Sequence, residues 1–593
     1  MIASMTKYSF ILLSGEQEGL LEKLQEIGLV DITRSVKPVD DSTRAIASGV
    51  ERLDALIQGL GKAEIPEGTT PRTVAGEDPV RTAESLLTQY KECSEAISAA
   101  QKDVRAKEAW GKFDMGVLRD LAEAGMPIHF HSVSTKSFNP EWEDALVVSQ
   151  NKQNTLFVVA GPSDNLPGEI PTPSGDLSDA QQQLEGLLGR KKELEEYLLS
   201  AKEDVPQLQE MKRDALSELD LKLAGLAAVP AAENTIVTLV GYAPAEDDEN
   251  VVKALDEYGV FYVKDAAEAS DNPPISFRNN RFVRMFEVLT DMYGRPAYNG
   301  FDPTPFIAIF FLLFFAMCMG DAGYGLILIA AGLLLRKVPS FKSIAPLVTT
   351  LGVATVVVGF FFHTFFSIDI SKWSVFEPVS FLFVPDEIAG YAGGMVVAIV
   401  IGIIHLCLAM TVKAVEAVKV NGFKQSLGTL GWTLLIVGGV IVGGLALAGV
   451  INSTVTKWIV IALGVISAIG IFPLNTWGRN PLVNTGLGLW DTYNTVTGLL
   501  GDVLSYLRLY ALGLAGSMLG MAFNDMGKMV LGDGSNWIMW IPFILLVLVG
   551  HTLNIAMCAL GAFVHPLRLN FLEFFKNSGY EAAGRVYNPL KKQ

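Results

Sequence analysis

The sequence predicts an α+β cytoplasmic dumbbell, in which an antiparallel coiled coil joins two small α/β lobes, followed by an all-α membrane domain of about eight transmembrane helices. Three observations lead to this prediction. Residues 1–295 of the 593 are polar and helix-prone, whereas most of 296–593 consists of apolar runs. Such runs, in a chain with net charge −17, indicate an integral membrane protein. The charged segment 177–226 has the narrow apolar stripe of a coiled-coil helix.

Two stretches of similar strand–helix–strand pattern predict the first lobe, in which residues 1–35 pair with residues 235–265. Their strands and helices are expected at 7–13, 16–27, 29–32, 235–242, 247–258 and 260–264. The second lobe is expected at 111–160, where three short β-rich runs are separated by turn residues. The Pro/Gly/Ser-rich segment 161–175 is predicted to be a linker.

Helical patterns connect the two lobes. The long segment 177–226 needs a partner for its apolar stripe, and the candidate in this half is the helical region 41–110. Pro206 predicts a kink in the long helix, and residues 64–78, rich in Pro, Gly and Thr, predict a break in its partner. We expect an antiparallel coiled coil that acts as a strut. The alternative is a solvated helical hairpin with no further role.

Composition and motifs exclude several functions. Neither a G-x-x-x-x-G-K-[ST] loop nor a strand-coupled G-x-G-x-x-G occurs, so no nucleotide site is expected. The acidic balance argues against nucleic acid, which requires a clustered basic face. Cys93, Cys318, Cys407 and Cys558 are too scattered to form a disulfide framework or a metal site. We expect no catalytic residue, cofactor or metal in this chain.

The apolar half predicts eight spans, of which the second is short. They are 303–320, 323–336, 345–366, 393–415, 428–450, 455–472, 496–523 and 538–574. Lysine and arginine residues predict the orientation, because they concentrate on the cytoplasmic side of a membrane. Fifteen lie on the side of the soluble half, against Lys372, Lys457 and Lys528 on the other side. We therefore expect a multi-pass protein of the cell membrane with both termini in the cytoplasm.

Arg508 is the most informative residue of the apolar half. It lies about a dozen residues from either end of the seventh run, or ~18 Å at ~1.5 Å per residue, too far for its side chain to reach water. A charge at that depth costs several kcal/mol unless a partner offsets it, and such residues mark ion pathways. No carboxylate of this chain is an obvious permanent partner. The sequence therefore predicts a partner on another subunit.

The last span carries a polar stripe. His551, Asn554, Cys558, His565 and Arg568 follow one another along one face at a spacing close to 3.5 residues. A polar path for ions is one interpretation, and a seam that packs against a neighbouring helix is the other. Arg568 is also near enough to the cytoplasmic end to reach water.

Further polar residues are scattered through the other spans. Asp502 and Ser505 form a loose face with the arginine of the seventh span. Asp321 lies in the glycine-rich Gly320–Gly325 and is either a helix cap or a proton-binding group. The single histidines His363 and His405 are interpreted as hydrogen-bonded packing residues.

Six short motifs occur in order along the chain. They are Asn272-Pro-Pro274, Tyr293-Gly-Arg-Pro-Ala-Tyr298, Asp302-Pro-Thr-Pro-Phe306, Gly320-Asp-Ala-Gly-Tyr-Gly325, Ser505-Tyr-Leu-Arg-Leu509 and Gly561-Ala-Phe-Val-His-Pro-Leu-Arg-Leu569. As a set they resemble the membrane subunit of V/A-type rotary ATPases, called subunit a in eukaryotes and subunit I in prokaryotes. The resemblance covers essentially the whole chain, whose length is that of a prokaryotic member.

The resemblance implies a role in ion transport. The chain would pack against a rotating ring of proteolipid c subunits, each with a carboxylate in mid-membrane. Arg508 matches the family's essential arginine, and Arg568 matches a second one on the last span. Two half-channels would carry H⁺ or Na⁺ to and from the ring, with Arg508 between them. A guanidinium keeps its proton and stabilises an ionised carboxylate nearby, so no covalent chemistry is implied.

The resemblance also implies partners for the soluble half. It would bind peripheral stalk subunits of the E/G type and the region that caps the central stalk, and so act as a stator of an ATP-driven translocase. Ion choice is expected to depend mainly on the ring.

Two positions depart from the family pattern. Some eukaryotic relatives have a glutamate ten residues before the second arginine and a histidine eight residues after the first, where this chain has Cys558 and Gly516. Their access channel therefore cannot be transferred to this chain. The substitutes expected here are Asp502, His551, His565 and Glu573.

Two other classes of function stay open. A secondary transporter with broken helices fits the Gly320–Gly325 break, but the sequence has no visible matching break in a second half. A membrane-anchored scaffold without transport would leave Arg508 without a purpose.

Overall fold

The computed structural model describes residues 1–34, 37, 40–63, 65–66, 69–72, 78–111, 113–139, 142, 145–151, 153–161, 166–171, 177–231, 235–372, 378, 381–388, 390–475, 477, 480–532 and 537–592, except for the side chain of residue 106. The chain divides into two compact units. The first holds Met1–Phe10 and Val240–Pro589, and the second holds Ile11–Leu239 and Leu590–Gln593.

The second unit is a mixed α/β unit with long helices. In chain order its elements are β1 (Met5–Leu13, shared with the first unit), α1 (Gln17–Ile27), β2 (Asp31–Ile32), α2 (Asp41–Lys62), α3 (Pro79–Trp110), α4 (Met115–Glu123), β3 (Ile128–Ser134), β4 (Leu146–Gln150), β5 (Asn154–Ala160), β6 (Glu169–Ile170), α5 (Leu177–Glu203), α6 (Val205–Gly225), β7 (Val229–Ala231) and β8 (Ile236–Pro244, also shared).

The long helices of this unit pack in pairs, α2 against α6 and α3 against α5. Cys93 Sγ contacts the carbonyl of Leu187 at 3.5 Å, and Lys191 lies over the ring of Tyr90, so α3 and α5 run antiparallel. The apolar stripes meet in a core that includes Leu53, Leu60, Leu86, Ile97, Leu194, Leu198 and Leu208. The kink predicted from Pro206 is present as the break between α5 and α6. The dumbbell and its domain boundaries stay predictions.

A separate sheet follows α4, with strand order β4-β5-β3-β6. β3 and β5 pair antiparallel over their whole length. Glu169–Ile170 pairs with His131 and Phe130 of β3. The prediction of a linker at 161–175 is therefore wrong for these two residues, because backbone pairing with an edge strand overrides the local composition. Residues 162–165 and 172–175 of that segment lie outside the described residues.

The first unit contains the end of the shared sheet and all the apolar helices. Its further elements are α7 (Asp248–Tyr258), β9 (Tyr262–Ala266), β10 (Pro274–Ile275), α8 (Arg281–Arg284), α9 (Glu287–Tyr293), α10 (Thr304–Met319), α11 (Ala322–Leu335), α12 (Ala345–Phe361), β11 (Thr364–Phe365), β12 (Ile368–Asp369), β13 (Glu387–Ile388), β14 (Tyr391–Ala392), α13 (Gly393–Asn421), α14 (Leu427–Leu447), α15 (Ser453–Ile471), α16 (Pro481–Ser505), α17 (Leu507–Leu531), α18 (Trp540–Arg568), a π-helix (Leu569–Phe574), α19 (Phe575–Ser578) and β15 (Arg585–Val586).

In the soluble part of the first unit, β1 pairs antiparallel with β9 through Thr6–Phe10. Lys7 Nζ donates to Asp271 Oδ1 at 2.6 Å, and this hydrogen bond lowers the pKa of the Asp271 carboxyl. β1 therefore holds this edge of the sheet by backbone pairing and by an ion pair.

Within the described residues of the first unit, five helical segments are long and apolar enough to cross a bilayer: Gly393–Asn421, Leu427–Leu447, Ser453–Ile471, Pro481–Leu531 and Trp537–Ser578. The first three predicted spans correspond to shorter apolar helices, α10, α11 and α12, of 16, 14 and 17 residues. At ~1.5 Å per residue, the 14 residues of α11 extend ~21 Å, less than the ~30 Å hydrocarbon thickness. The count of eight spans stays a prediction.

The seventh predicted span, 496–523, is not one continuous helix. α16 ends at Ser505, and α17 begins at Leu507, so the helix is interrupted at Tyr506. The sequence interpretation missed this break because no proline or glycine marks it. The shared core around it is rich in aromatic side chains, including Phe311, Phe314, Tyr506 and Phe574.

Candidate functional site

The break at Tyr506 positions Arg508. The Tyr506 N–H donates to Val503 O and the Leu509 N–H to Tyr506 O, both at 3.1 Å. These bonds close three-residue turns, so the backbone tightens on both sides of Tyr506. Arg508 is therefore in the first turn of α17. Asp502 and Ser505 belong to α16, on the other side of Tyr506, and the loose helical face that they were predicted to share with Arg508 stays a prediction.

Arg508 is half-buried, and its guanidinium is incompletely satisfied. Its Nη1 atom is buried and has no hydrogen-bond partner in the described part of the chain. Among the described residues no carboxylate forms an ion pair with Arg508 or with Arg568. Both arginines act electrostatically on the same side chain, His565. Two permanent cations and a histidine thus share one region without a balancing anion paired to either arginine.

Arg568 is exposed, and its neighbours on the same face are apolar. Leu560, Val564 and Leu572 lie four or eight residues away, and their exposed fractions are 68, 48 and 53%. On a helix, such a spacing places side chains one above another. α18 therefore presents an apolar outer face with one arginine in it.

The chain next to Arg568 forms a π-helix, Leu569–Phe574. Such π-helical turns are rare and often accompany functional sites. Glu573, at the end of this turn, is buried, and its Oε2 atom has no partner in the described part of the chain. Ser505 and Asp502 of α16 lie near its carboxylate, as does Arg568. The π-helix thus brings Glu573 beside α16.

Asp502 lines a polar cavity of about 390 Å³ between α13, α14, α16 and α19. The Asp502 carboxylate accepts hydrogen bonds from Asn577 Nδ2 at 2.7 Å and Lys576 Nζ at 3.4 Å. Other polar residues lining the cavity include Lys413, Thr429, Thr433, Asn475, Asp491, Asn494 and Thr495.

A second cavity, of about 200 Å³, lies further along the same helical segment. Tyr510 and Ser517 of α17 line it, together with His363 and Asp386. His363 Nε2 is 3.5 Å from Asp386 Oδ1. In sequence, Arg508 falls between the α16 residues that line the first cavity and the α17 residues that line the second.

Asp321 is a helix cap. Its side chain accepts hydrogen bonds from the backbone N–H groups of Gly323 and Tyr324, at 2.8 and 3.3 Å, at the start of α11. It also accepts from the N–H groups of Phe366 and Ser367, at 2.8 and 2.6 Å. The carboxylate therefore ties the break after α10 to the β11–β12 hairpin. The capping interpretation of Asp321 is confirmed, and a proton-binding role stays a prediction.

The N-terminal half of the polar stripe on α18, which contains His551 and Asn554, is a closed hydrogen-bond network. His551 Nδ1 is 2.7 Å from Tyr324 Oη, and its Nε2 is 3.0 Å from Asn524 Oδ1. Asn554 Nδ2 donates to Tyr324 Oη and to Gly516 O, both at 2.8 Å. Both ring nitrogens of His551 are thus in use. This half of the stripe packs α18 against α11 and α17. In the C-terminal half, His565 Nδ1 is buried without a partner in the described chain.

The two departures from the family pattern are in contact with each other. A Cβ atom added to Gly516 would lie 2.5 Å from Cys558 Sγ. The thiol therefore occupies the space that a side chain at 516 would need. A residue larger than glycine at position 516 requires a change at 558 as well.

The structure brings together Asp502, Ser505 and Glu573, and it couples His565 to Arg508 and Arg568. His551 and Asn554 belong instead to the closed network, and Asp321 caps α11. Sequence reasoning missed Tyr506 and Asn577 as site residues. Tyr506 stands inside a quoted motif, two residues before the arginine, and this position was the available signal.

Comparison with known proteins shows similarity to one family. Residues 180–344 match the model of the V-type ATPase 116kDa subunit family. The chain is 25% identical over 642 aligned positions to the V-type ATP synthase subunit I 1 of Treponema pallidum, with 100% of both chains covered. This similarity and the five long apolar helical segments found among the described residues indicate a multi-pass membrane protein.

Other relatives match with different coverage. The chain is 32% identical over 382 residues to the A-type ATP synthase subunit I of Methanocaldococcus jannaschii, which covers 59% of this chain and 54% of that relative. The match therefore spans about half the length of that relative. This chain is 23% identical over 667 aligned positions to the V-type ATP synthase subunit I of Chlamydia trachomatis serovar D, and the match covers 100% of this chain and 99% of that relative.

Proposed function

We propose that this chain is the stator and ion-translocating membrane subunit of a V/A-type rotary ATPase. The observation that carries the proposal is the state of Arg508, whose buried Nη1 has no partner in the described chain. Leaving a buried charged donor unsatisfied is costly. A carboxylate that arrives from a rotating c-ring would satisfy it, and would leave again as the ring turns.

Arg568, the second arginine, also supports a c-ring as the partner of this chain. Arg568 lies on an exposed apolar face of α18. Lipid alone would leave a guanidinium on that face without a hydrogen-bond acceptor. A ring of proteolipid helices, each with one carboxylate, offers both an apolar surface and the missing anion.

The two cavities are the proposed half-channels. The larger one is lined by Asp502, whose charge also acts on Glu573. The smaller one, with His363 and Asp386, would serve the opposite side of the membrane. Arg508 would prevent direct passage of H⁺ or Na⁺ between them, because its fixed positive charge repels a cation and it cannot give up its proton.

The distribution of basic residues supports an orientation with the Asp502 cavity toward the cytoplasm. Lys413 and Lys576 line that cavity, and Lys528 lies at the far end of α17. The soluble part would then stand in the cytoplasm. Its paired long helices suit a strut that resists torque by binding peripheral stalk subunits of the E/G type and the cap of the central stalk.

The test is ATP-driven ion uptake into inverted vesicles that hold the assembled complex. We expect Arg508→Ala to lower the ratio of uptake to ATP hydrolysis by about 100-fold or more, the scale on which removal of one preorganised charge acts. Arg508→Lys should also fail largely, because a lysine can lose its proton and forms no planar fork.

Lys528→Ala is the matched control, since Lys528 is an exposed cation on the same helix, paired only within that helix to Asp525. It should pump like the wild type. Wild-type pumping by Arg508→Ala in an assembled complex would contradict the proposed function.

A secondary transporter is the second candidate, and the break at Tyr506 favours it, because broken helices build the binding sites of such proteins. The broken pairs differ in length, however: α10 and α11 have 16 and 14 residues, while α16 and α17 have 25 each. Co-purification distinguishes the two functions, since a transporter would not retain a c-ring and an ATPase head.

A further inference from the structure

The break at Tyr506 creates a mechanical problem for Arg508. In a continuous helix, the turns on both sides would fix the direction of the arginine. Tyr506 keeps helical dihedral angles, φ −74° and ψ −20°, but the hydrogen bonds on both sides of it join residues three apart instead of four. The direction of the first turn of α17 therefore depends on the contacts that hold Tyr506.

Tyr506 is anchored from three directions. Its side chain is fully buried. Its ring lies against Gly402 of α13 so closely that a Cβ added there would be 2.3 Å from the ring, and it lies edge-on to Phe314 at 5.7 Å between centroids. Its hydroxyl is 2.9 Å from His405 Nδ1. Only a residue without a side chain permits this approach between α13 and the break.

His405 is itself held on both faces. It is fully buried between the ring of Phe310, at 4.1 Å, and the ring of Phe574, at 4.7 Å and only 5° from parallel. Phe574 is the last residue of the π-helix and directly follows Glu573. One imidazole therefore contacts both the residue at the helix break before Arg508 and the residue after Glu573.

The second ring nitrogen of His405 has no described group with which to exchange a proton. Nε2 is buried and has no hydrogen-bond partner in the described part of the chain. An imidazole protonated on both nitrogens would leave that N–H without an acceptor among apolar neighbours, which is costly. The ring has one useful polar contact, and that contact is Tyr506.

We propose that Tyr506 and His405 form a positioning pair, which fixes Arg508 on one side and Glu573, through Phe574, on the other. Neither residue touches the transported ion. This inference rests on the proposed function, because it assigns a role relative to Arg508. It predicts that the hydroxyl of Tyr506 matters for ion coupling although it lies away from any ion path.

The experiment uses the whole complex in inverted vesicles and measures ion uptake, ATP hydrolysis and passive ion leak. Tyr506→Phe keeps the ring and removes the hydrogen bond, and His405→Phe keeps an aromatic ring between its neighbours and removes the nitrogen that the hydroxyl contacts. We expect each to lower the ratio of uptake to hydrolysis by about tenfold or more, the scale of a small misplacement of reacting groups. Passive leak should rise, because a misplaced Arg508 no longer separates the two cavities.

The double variant decides whether the two residues act as a pair. Tyr506→Phe combined with His405→Phe should be no worse than either single variant, because one interaction is lost in all three. His405→Gln, which restores a hydrogen-bonding group, should recover part of the coupling. Tyr493→Phe, an exposed tyrosine of α16, is the matched control and should behave like the wild type.

The failures of the two proposals are distinguishable. Wild-type coupling in Tyr506→Phe, or additive losses in the double variant, while Arg508→Ala is inactive, would overturn the positioning pair alone. Failure of both Tyr506→Phe and His405→Gln to assemble would also overturn it, since the pair would then serve folding only. Normal pumping by Arg508→Ala would overturn the proposed function itself.

Discussion

At the scale of single residues, the polar groups of this membrane domain fall into two classes. His551, Asn554 and Asp321 use their hydrogen-bonding capacity within the chain. Arg508 and Glu573 each keep a buried atom without a partner in the described residues. Satisfied networks fix a structure, whereas a buried charged group without a partner is costly unless an ion or a second molecule pairs with it. The charge of Arg508 and Glu573 therefore distinguishes them from buried neutral groups, and it is consistent with the proposed ion path.

Glu573 gives the residue-scale prediction. Glu573→Gln keeps the shape of the side chain and removes its ability to bind and release a proton. We expect a partial loss of pumping, about a factor of ten, or ~1.4 kcal/mol in the rate-limiting step, with assembly unchanged. ATP-driven uptake in inverted vesicles measures it, and Glu581→Gln, eight residues further on, is the control. Complete loss in an assembled complex would give Glu573 an essential role instead.

At the scale of elements, glycines determine how closely the short apolar helices approach. A Cβ on Gly352 of α12 would be 2.8 Å from Ile329 N, and one on Gly325 of α11 would be 2.6 Å from Val356 N. Both distances are shorter than any ordinary contact, so the two helix backbones touch where these residues face each other. This packing lets helices of 14 and 17 residues form a rigid hairpin.

Gly352→Ala tests this packing. The added methyl group would collide with backbone atoms of α11, which cannot rotate away, and we expect a loss of roughly 1–3 kcal/mol in stability. Gly464→Ala in α15 is the matched control, because a Cβ there meets no atom within 4 Å. The thermal unfolding midpoints of the purified proteins in detergent should separate the two variants. Equal midpoints would show that α11 and α12 can move apart freely.

At the scale of the whole molecule, the chain combines a unit with long paired helices and a unit that holds all the apolar helices. In the proposed stator the unit with the long paired helices would transmit torque, and the unit with the apolar helices would conduct ions. Both tasks require that the membrane unit has one fixed orientation.

Labelling of single cysteines tests that orientation. In a chain whose four native cysteines are replaced, Lys457→Cys, at the start of α15, should react with a membrane-impermeant maleimide in intact cells. Lys424→Cys, between α13 and α14, should react only after permeabilisation, because positively charged loops stay in the cytoplasm. Both side chains are exposed, so access is not limited by packing. The opposite pattern would reverse the assignment of the two cavities.

The sequence by itself determined the partition into a polar and an apolar half, and it predicted the resemblance to a family of membrane subunits and the depth of Arg508. These properties are local, because hydropathy adds along the chain and a charged residue in an apolar run is visible without its neighbours. The Asp321 cap and the hydrogen bond of His405 could also be predicted from the sequence. An acidic residue in a glycine-rich break commonly caps a helix, and a single histidine in an apolar helix commonly forms a hydrogen bond.

Only the tertiary structure decided which polar residues are partners. The contact of Asp502 with Asn577 joins residues 75 positions apart, and that of His405 with Tyr506 joins residues 101 positions apart. No periodicity encodes such pairs, because they depend on how α13, α16 and the π-helix pack. The interruption before Arg508 has the same origin. The regular helical hydrogen bonding changes at Tyr506, where its ring packs against Gly402 and its hydroxyl contacts His405. These contacts exist only in the folded chain.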